Sequence, residues 1–198
     1  MLSEQEILKM LEDSKALLTG HFKLSSGRHS DQYLQCAQVL QYTDSAEELG
    51  QELADRCYKK FGSPIHTVAS PAVGGIVIGQ EVARGLGARA IFAERDPATG
   101  KLAFRRGFKV DPSENILLVE DVITTGGSIQ ELFELVKAEG GNVVGMAAIA
   151  QRGQAKALGA AHETLLKLDV KDYAEAECRL CKDGIPVEKP GSRQAAAV

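Results

Sequence analysis

The chain has 198 residues, 44% of them hydrophobic and 25% charged, with a formal net charge of −4. This is the profile of one soluble globular domain and excludes a disordered or fibrous chain. The acidic balance argues against nucleic acid as the main partner, since that affinity comes largely from neutralising phosphates, and no apolar run reaches the roughly 18 residues of a membrane span. The start, Met1-Leu2-Ser3-Glu4-Gln5-Glu6, has neither a basic nor an apolar leader segment, so a cytoplasmic setting is expected.

Ser3 with Glu6 makes a capping box, and Ile7, Leu8, Leu11 and Leu18 follow at helical spacing, which predicts a helix over about residues 4–18. Gly20 to Leu40 reads as small strands outside the main sheet, with turns at Ser25-Ser26-Gly27 and around Ser30-Asp31. Ser45 with Glu48 predicts a second capped helix through about Phe61, stopped by Gly62 and Pro64. A strand at His66–Ala69 then leads into Ser70-Pro71-Ala72-Val73-Gly74-Gly75 and a helix over Ile76–Arg84, followed by a strand at Ala88–Ala93. A third strand is expected at Asn115–Val119, a helix across Ile129–Glu139 stopped by Gly140-Gly141, and a fourth strand at Val143–Ala150. Strands alternating with helices imply an α/β fold, doubly wound around a mostly parallel sheet covered on both faces. Ligands bind such folds beyond the carboxyl ends of the strands.

Those ends carry Glu120-Asp121-Val122-Ile123-Thr124-Thr125-Gly126-Gly127-Ser128. Two adjacent carboxylates, expected on the last strand residue and the first of its loop, are costly unless they engage hydroxyls or a cation; a ribose 2,3-diol with Mg²⁺ nearby suits them. The hydroxyls and glycines that follow offer free backbone N–H groups at a helix N-terminus, a natural phosphate site. An acidic pair followed by a phosphate cradle is the layout for a ribose 5-phosphate. A P-loop is excluded because no lysine precedes Ser128, and Gly85-Leu86-Gly87-Ala88-Arg89-Ala90 follows a helix where a dinucleotide fingerprint follows a strand.

The stretch Ile116–Ser128 resembles the phosphoribosyl-diphosphate motif of the type I phosphoribosyltransferases. Gly20-His21-Phe22-Lys23-Leu24-Ser25-Ser26-Gly27-Arg28-His29-Ser30, Ser70–Gly75, Ala93-Glu94-Arg95-Asp96 with Arg105-Arg106-Gly107-Phe108, and Ala150-Gln151-Arg152-Gly153 narrow the resemblance to the orotate phosphoribosyltransferase family, over about residues 5–190. The resemblance implies transfer of ribose 5-phosphate from phosphoribosyl diphosphate to N1 of orotate with Mg²⁺, through an oxocarbenium-like state from which a highly charged diphosphate departs. It implies that Glu120 and Asp121 hold the ribose hydroxyls, that Thr124, Thr125, Gly126, Gly127 and Ser128 hold the 5-phosphate with Val122 and Ile123 in the same loop, and that Thr124 and Arg152 contact orotate. No metal ligand from the protein is assigned; Mg²⁺ arrives on substrate near Glu120 and Asp121. The resemblance also implies one domain over 1–188 (helix and hood strands 1–44, core 45–170, C-terminal hood segment 171–188) and a homodimer whose mobile loop reaches the neighbouring site; the tail at 189–198 has no periodicity and reads as frayed. Arg152 also makes sense on its own, because a guanidinium pairs bidentately with a carboxylate such as orotate's.

Between Arg95 and Lys109, the cations Arg95, Lys101, Arg105, Arg106 and Lys109 face a single acid, Asp96. Such a loop, with Pro97, Thr99 and Gly100 at its tip, suits a lid over a departing diphosphate; Arg95 and Lys101 are its expected catalytic groups beside Asp121. The chain departs from many relatives in having Ser25 where they carry a basic residue, which Lys23 could partly replace, and Gly74 where some carry lysine. It also lacks a Lys and a His found in longer lids. Cys36 and Cys57 read as buried small hydrophobes. Cys178-Arg179-Leu180-Cys181 reads as a reduced pair, half a zinc site at best, with no His pair following and a second copy across a dimer needed to complete it. His29 lies beside the site, while His21, His66 and His162 read as structural. The competing functions are phosphoribosyl transfer to a purine, which has no carboxylate for Arg152, and a non-catalytic ligand-binding regulator.

Overall fold

The computed structural model describes residues 1–24, 26–62, 64–153 and 157–190. The elements run α1 (Glu4–Asp13), β1 (Leu17–Lys23), β2 (His29–Leu34), α2 (Ala37–Leu40), α3 (Thr43–Phe61), β3 (Thr67–Pro71), α4 (Gly75–Leu86), β4 (Arg89–Arg95), β5 (Leu102–Phe104), β6 (Asn115–Ile123), α5 (Gly127–Ala138), β7 (Asn142–Arg152), β8 (His162–Leu168), β9 (Asp172–Tyr173), a single 3₁₀ turn at Glu175–Glu177, and α6 (Arg179–Lys182). The main sheet has the order β5-β4-β3-β6-β7-β8, parallel except for the β4–β5 hairpin, and β1-β2-β9 form a separate antiparallel sheet.

Alternation along the central strands divides the core in two. Val68, Leu117, Val119, Ala147 and Ile149 pack with Ile7, Leu11, Leu49, Leu53, Ile78 and Val82 from α1, α3 and α4. Their neighbours Ala69, Ile116, Leu118, Met146 and Ala148 pack on the opposite face with Ile129, Leu132 and Val136 of α5. Strands buried on both faces read as continuous apolar runs, as Ile116–Val119 does. The chain leaves β3 for β4 on one side and returns to β6 on the other, so the crevice between the ends of β3 and β6 is the topological switch point. Among the described residues no helix is long and apolar enough to cross a membrane.

Several boundaries move. α1 stops at Asp13, because the Ser14 hydroxyl donates to the carbonyls of Met10 and Leu11 and Lys15 turns to φ 58°; Leu18 therefore lies in β1. α3 begins at Thr43 with Tyr42 at its N-cap, so Ser45 is already inside the first turn and makes no capping box. The expected turn at Ser30-Asp31 is strand, with the Ser30 hydroxyl donating to the Lys171 carbonyl across to β9. Pro71 is tolerated in β3 because pairing with β6 ends at Ala69, leaving only the β4 side. The capping box of Ser3 and Glu6 forms as expected. Ser25 and most of the expected tail, 191–198, lie outside the described residues.

Candidate active site

β6 runs beyond the expected strand end at Val119, to Ile123, because β7 continues beside it: Glu120 pairs with Ala148, Val122 with Ala150 and Ile123 with Gln151. The two carboxylates therefore sit within the strand, fixed by the ladder rather than at the start of a loop. Glu120 is 8% exposed, and its carboxyl is pushed up to about 9, first by burial and then by the neighbouring Asp121 charge. Burial also raises Asp121, against a backbone bond from Val122 N–H to Asp121 Oδ1 of 2.9 Å. At neutral pH the pair thus keeps a proton on Glu120.

After Ile123 the chain exposes Thr124 and Thr125, then turns at Gly126 with φ 81°, a left-handed conformation that favours glycine, before α5 opens at Gly127. Among the described residues no side chain caps α5, and its first N–H groups and the exposed Ser128 hydroxyl face a concavity of 120 Å³ lined by Glu120 and by 122–129. The helix dipole and these donors together favour an anion there. A larger depression of 520 Å³ near the N-terminus is walled by Asp44, Glu47, Glu48, Glu52 and Asp55; that wall repels phosphate, so volume does not decide the matter.

From the other side of the switch point, β3 ends at Pro71 and α4 opens after Gly74, through a cis Ala72–Val73 peptide. A Cβ on Gly74 would lie 2.8 Å from Asp121 Oδ2. The absence of a side chain at Gly74 is what lets α4 approach the carboxylate, so a lysine there would require Asp121 to move.

Arg152 closes β7, one residue beyond the Ile123–Gln151 pair. Its guanidinium is partly buried and, among the described residues, has no carboxylate or carbonyl hydrogen-bonded to it. Burial lowers its pKa, opposed by the charges of Asp172 and Tyr33. Burial in turn raises the Tyr33 phenol, with Arg152 opposing and Asp121 adding. Tyr33 of β2 and Asp172 of β9 thus flank the site from the small sheet; no motif marks either, and only the three-dimensional pairing of β2 with β9 brings them there.

The expected lid is the β4–β5 hairpin, whose tip is set by Asp96 Oδ1 accepting from Ala98 and Thr99 N–H at 2.9 Å each. Its cations are not equivalent. Arg95 Nη1 donates to Glu131 of α5 at 2.5 and 2.6 Å, and Arg106 pairs with Glu94 at 2.8 Å while lying 5.9 Å from the centre of the Phe92 ring. Lys101, Arg105 and Lys109 are exposed and make no ion pair among the described residues. Glu120 to Ser128 and Arg152 are therefore brought together on adjacent strand ends, whereas Arg95 is held by α5 and Lys101 stands free at the hairpin tip. Lys23 pairs with Glu175 at 3.5 Å.

Cys36 and Cys57 are buried, with the Cys57 thiol pushed up to about 12 by burial. His66 Nδ1 accepts from Asn115 N–H at 2.9 Å and His162 bonds Gln151 at 3.0 Å. The reading of Cys178 and Cys181 as half a site needs correction: a histidine pair lies beside them, supplied by His21 and His29, which precede the cysteines in the chain instead of following them.

A family model described as phosphoribosyl transferase domain matches residues 38–175. An orotate phosphoribosyltransferase of Chlorobaculum parvum is 50% identical over 196 residues, covering 98% of this chain and 99% of its own. One from Thermotoga maritima is 47% identical over 188 residues, covering 94% of this chain and 98% of its own. The fold is also that of the crystal structure of orotate phosphoribosyltransferase from Aeropyrum pernix, with TM-score 0.67 at 24% identity over 82% of this chain and 93% of that one.

Proposed function

The chain belongs to the phosphoribosyl transferase family, in its orotate phosphoribosyltransferase branch, and from that premise we propose how its residues divide the work. The enzyme transfers ribose 5-phosphate from phosphoribosyl diphosphate to N1 of orotate; the bond from carbon 1 to diphosphate breaks, the bond to N1 forms, and orotidine 5′-phosphate and diphosphate leave, a step of pyrimidine nucleotide synthesis.

One observation carries the division of roles: the acidic pair, a helix N-terminus and a partly buried guanidinium, the last two without side-chain partners among the described residues, lie at the ends of two hydrogen-bonded parallel strands. Thr125 to Ser128 and the first N–H groups of α5 take the 5-phosphate. Asp121 accepts from a ribose hydroxyl, and Glu120, holding its proton at neutral pH, donates to the other. Arg152 takes the orotate carboxylate in a bidentate pair, beside Thr124. The donor set fits Mg²⁺, a hard cation that is held by one or two carboxylates plus substrate oxygens; when bound it supplies charge neutralisation for the departing diphosphate. Lys101, without an ion pair among the described residues, is the hairpin cation best placed to reach a diphosphate, while Arg95 positions the hairpin through Glu131.

The three-stranded sheet and the C-terminal segment serve as a hood over a core spanning 45–170. The hairpin of one subunit serves the site of another in a homodimer, in the cytoplasm. Mixing inactive Lys101→Ala chains with inactive Asp121→Asn chains tests the sharing: activity regained on mixing supports it, and none regained removes it. The reaction itself is read by ultraviolet loss of orotate with phosphoribosyl diphosphate. Mg²⁺-dependent loss, with adenine, hypoxanthine and uracil inert, supports the reading. Equal use of a purine would contradict the role of Arg152.

A further inference from the structure

Outside the reaction site, four residues far apart in the sequence converge. His21 on β1, His29 at the start of β2, Cys178 and Cys181 each direct one ligand atom to a common point, and these atoms lie within 4.8 Å of one another. His21, His29 and Cys178 are buried and Cys181 is partly so. His21 Nε2 is 2.9 Å from His29 Nδ1, 3.5 Å from Cys178 Sγ and 3.6 Å from Cys181 Sγ, and Cys181 Sγ is 3.2 Å from His29 Nδ1. A tetrahedral zinc ion bound by two sulfurs and two nitrogens has edges of about 3.3 Å between nitrogens and about 3.5 Å from nitrogen to sulfur. The four separations are already close to those edges.

Proton bookkeeping points the same way. His21 Nδ1 is 2.7 Å from the Ile185 carbonyl, so it carries the ring proton and leaves Nε2 as a lone pair facing the cluster. Without a cation, His29 Nδ1–H donates to that lone pair, and His29 Nε2 becomes a buried acceptor with no partner among the described residues. With a cation, His29 ligates through Nδ1 and its proton moves to Nε2, 3.9 Å from the Glu175 carboxylate. Metal-bound histidines typically have their other ring nitrogen turned to a carbonyl or carboxylate in this way.

We propose that His21, His29, Cys178 and Cys181 form a structural zinc site of the Cys₂His₂ kind, complete within one chain. Four protein ligands leave no open coordination position, so the site is not catalytic; loading releases the two thiol protons to solvent. Soft sulfur with imidazole selects zinc over Mg²⁺, which keeps the two metal requirements separate. The site fastens the C-terminal segment to the β1–β2 hairpin. That segment has little core of its own: Ile185 and Val187 are 44% and 47% exposed, and its other ties to β1 include the backbone bonds Lys23 N–H to Glu188 O and Glu188 N–H to His21 O. The cross-link closes a loop of chain that contains the whole main sheet, and holds the small sheet that presents Tyr33 and Asp172 to Arg152.

The test uses the full chain without a histidine tag, purified under reducing conditions and dialysed free of loose metal. Elemental analysis is expected to find about one zinc per chain. Zinc retention should fall at least about tenfold in Cys178→Ser/Cys181→Ser and be unchanged in Cys57→Ala. Should the double variant not fold, the wild type decides alone: cobalt exchanged for zinc should give the visible bands of a tetrahedral ion together with a thiolate-to-cobalt charge-transfer band. A wild type that holds no zinc and gives no such band, or a folded double variant that keeps its zinc, overturns the proposal.

Discussion

The β6–α5 segment and the His/Cys cluster are both built from a few polar residues on a scaffold of strands, but they are assembled in opposite ways. Glu120 to Ser128 form one uninterrupted stretch in which strand, turn and helix N-terminus line one concavity with all their residues but Asp121, whose carboxylate lies toward Gly74. The cluster takes His21 and His29 from the β1–β2 hairpin and Cys178 and Cys181 from the other end of the chain. The first is a local device whose chemistry survives in the sequence string. The second exists only once the chain has folded back on itself, and its place in the sequence is two unrelated pairs.

That contrast can be broken at graded points. The largest effect on activity is expected from Asp121→Asn, which removes the carboxylate charge without altering shape; turnover should fall on the order of 10²–10³-fold, the range for losing one aligned electrostatic group, with zinc content unmoved. Near-normal turnover would remove the role given to the acidic pair. Gly74→Ala tests whether the local segment depends on a distant neighbour. Its Cβ would stand 2.8 Å from Asp121 Oδ2, and a displaced carboxylate should lower kcat by roughly 10–100-fold. An unchanged kcat would mean that α4 yields instead of Asp121.

A third effect is read in stability. Glu120 releases its proton near 4.5 when unfolded but at about 9 in the fold, so the folded chain binds the extra proton across that window, and the stability it confers is lost as pH rises through it. Glu120→Gln does not titrate. Its melting temperature relative to wild type should therefore climb between about pH 5 and about pH 9, by roughly 2–4 °C per kcal/mol for a chain of this size. A constant difference would mean that Glu120 is not desolvated.

What could be read from the sequence follows from how local each feature is. Ile116–Val119 and the α5 pattern were legible because a doubly covered parallel strand is apolar throughout and an amphipathic helix is periodic. Leu18 fits the period of α1 yet lies in β1, because the turn at Ser14 and Lys15 is decided by side-chain capping and not by hydrophobic spacing. The Ser45–Glu48 box has the right residues, but α2 delivers the chain so that helix starts at Thr43. Arg95 looked like a free cation because its partner Glu131 belongs to another element. His21 and His29 do not read as partners of the cysteines in the sequence, because they precede them by about 150 residues; a His-x₇-His pair flanking a predicted hairpin turn is the one local signal.

The most direct test of the joined site on β6 and β7 is the pair of Michaelis constants of Arg152→Ala. Loss of a charge-assisted pair is worth about 1.5–3 kcal/mol. The account predicts that KM for orotate rises roughly 10- to 100-fold while KM for phosphoribosyl diphosphate stays near its wild-type value. An equal rise in both constants, or no rise for orotate, would contradict it.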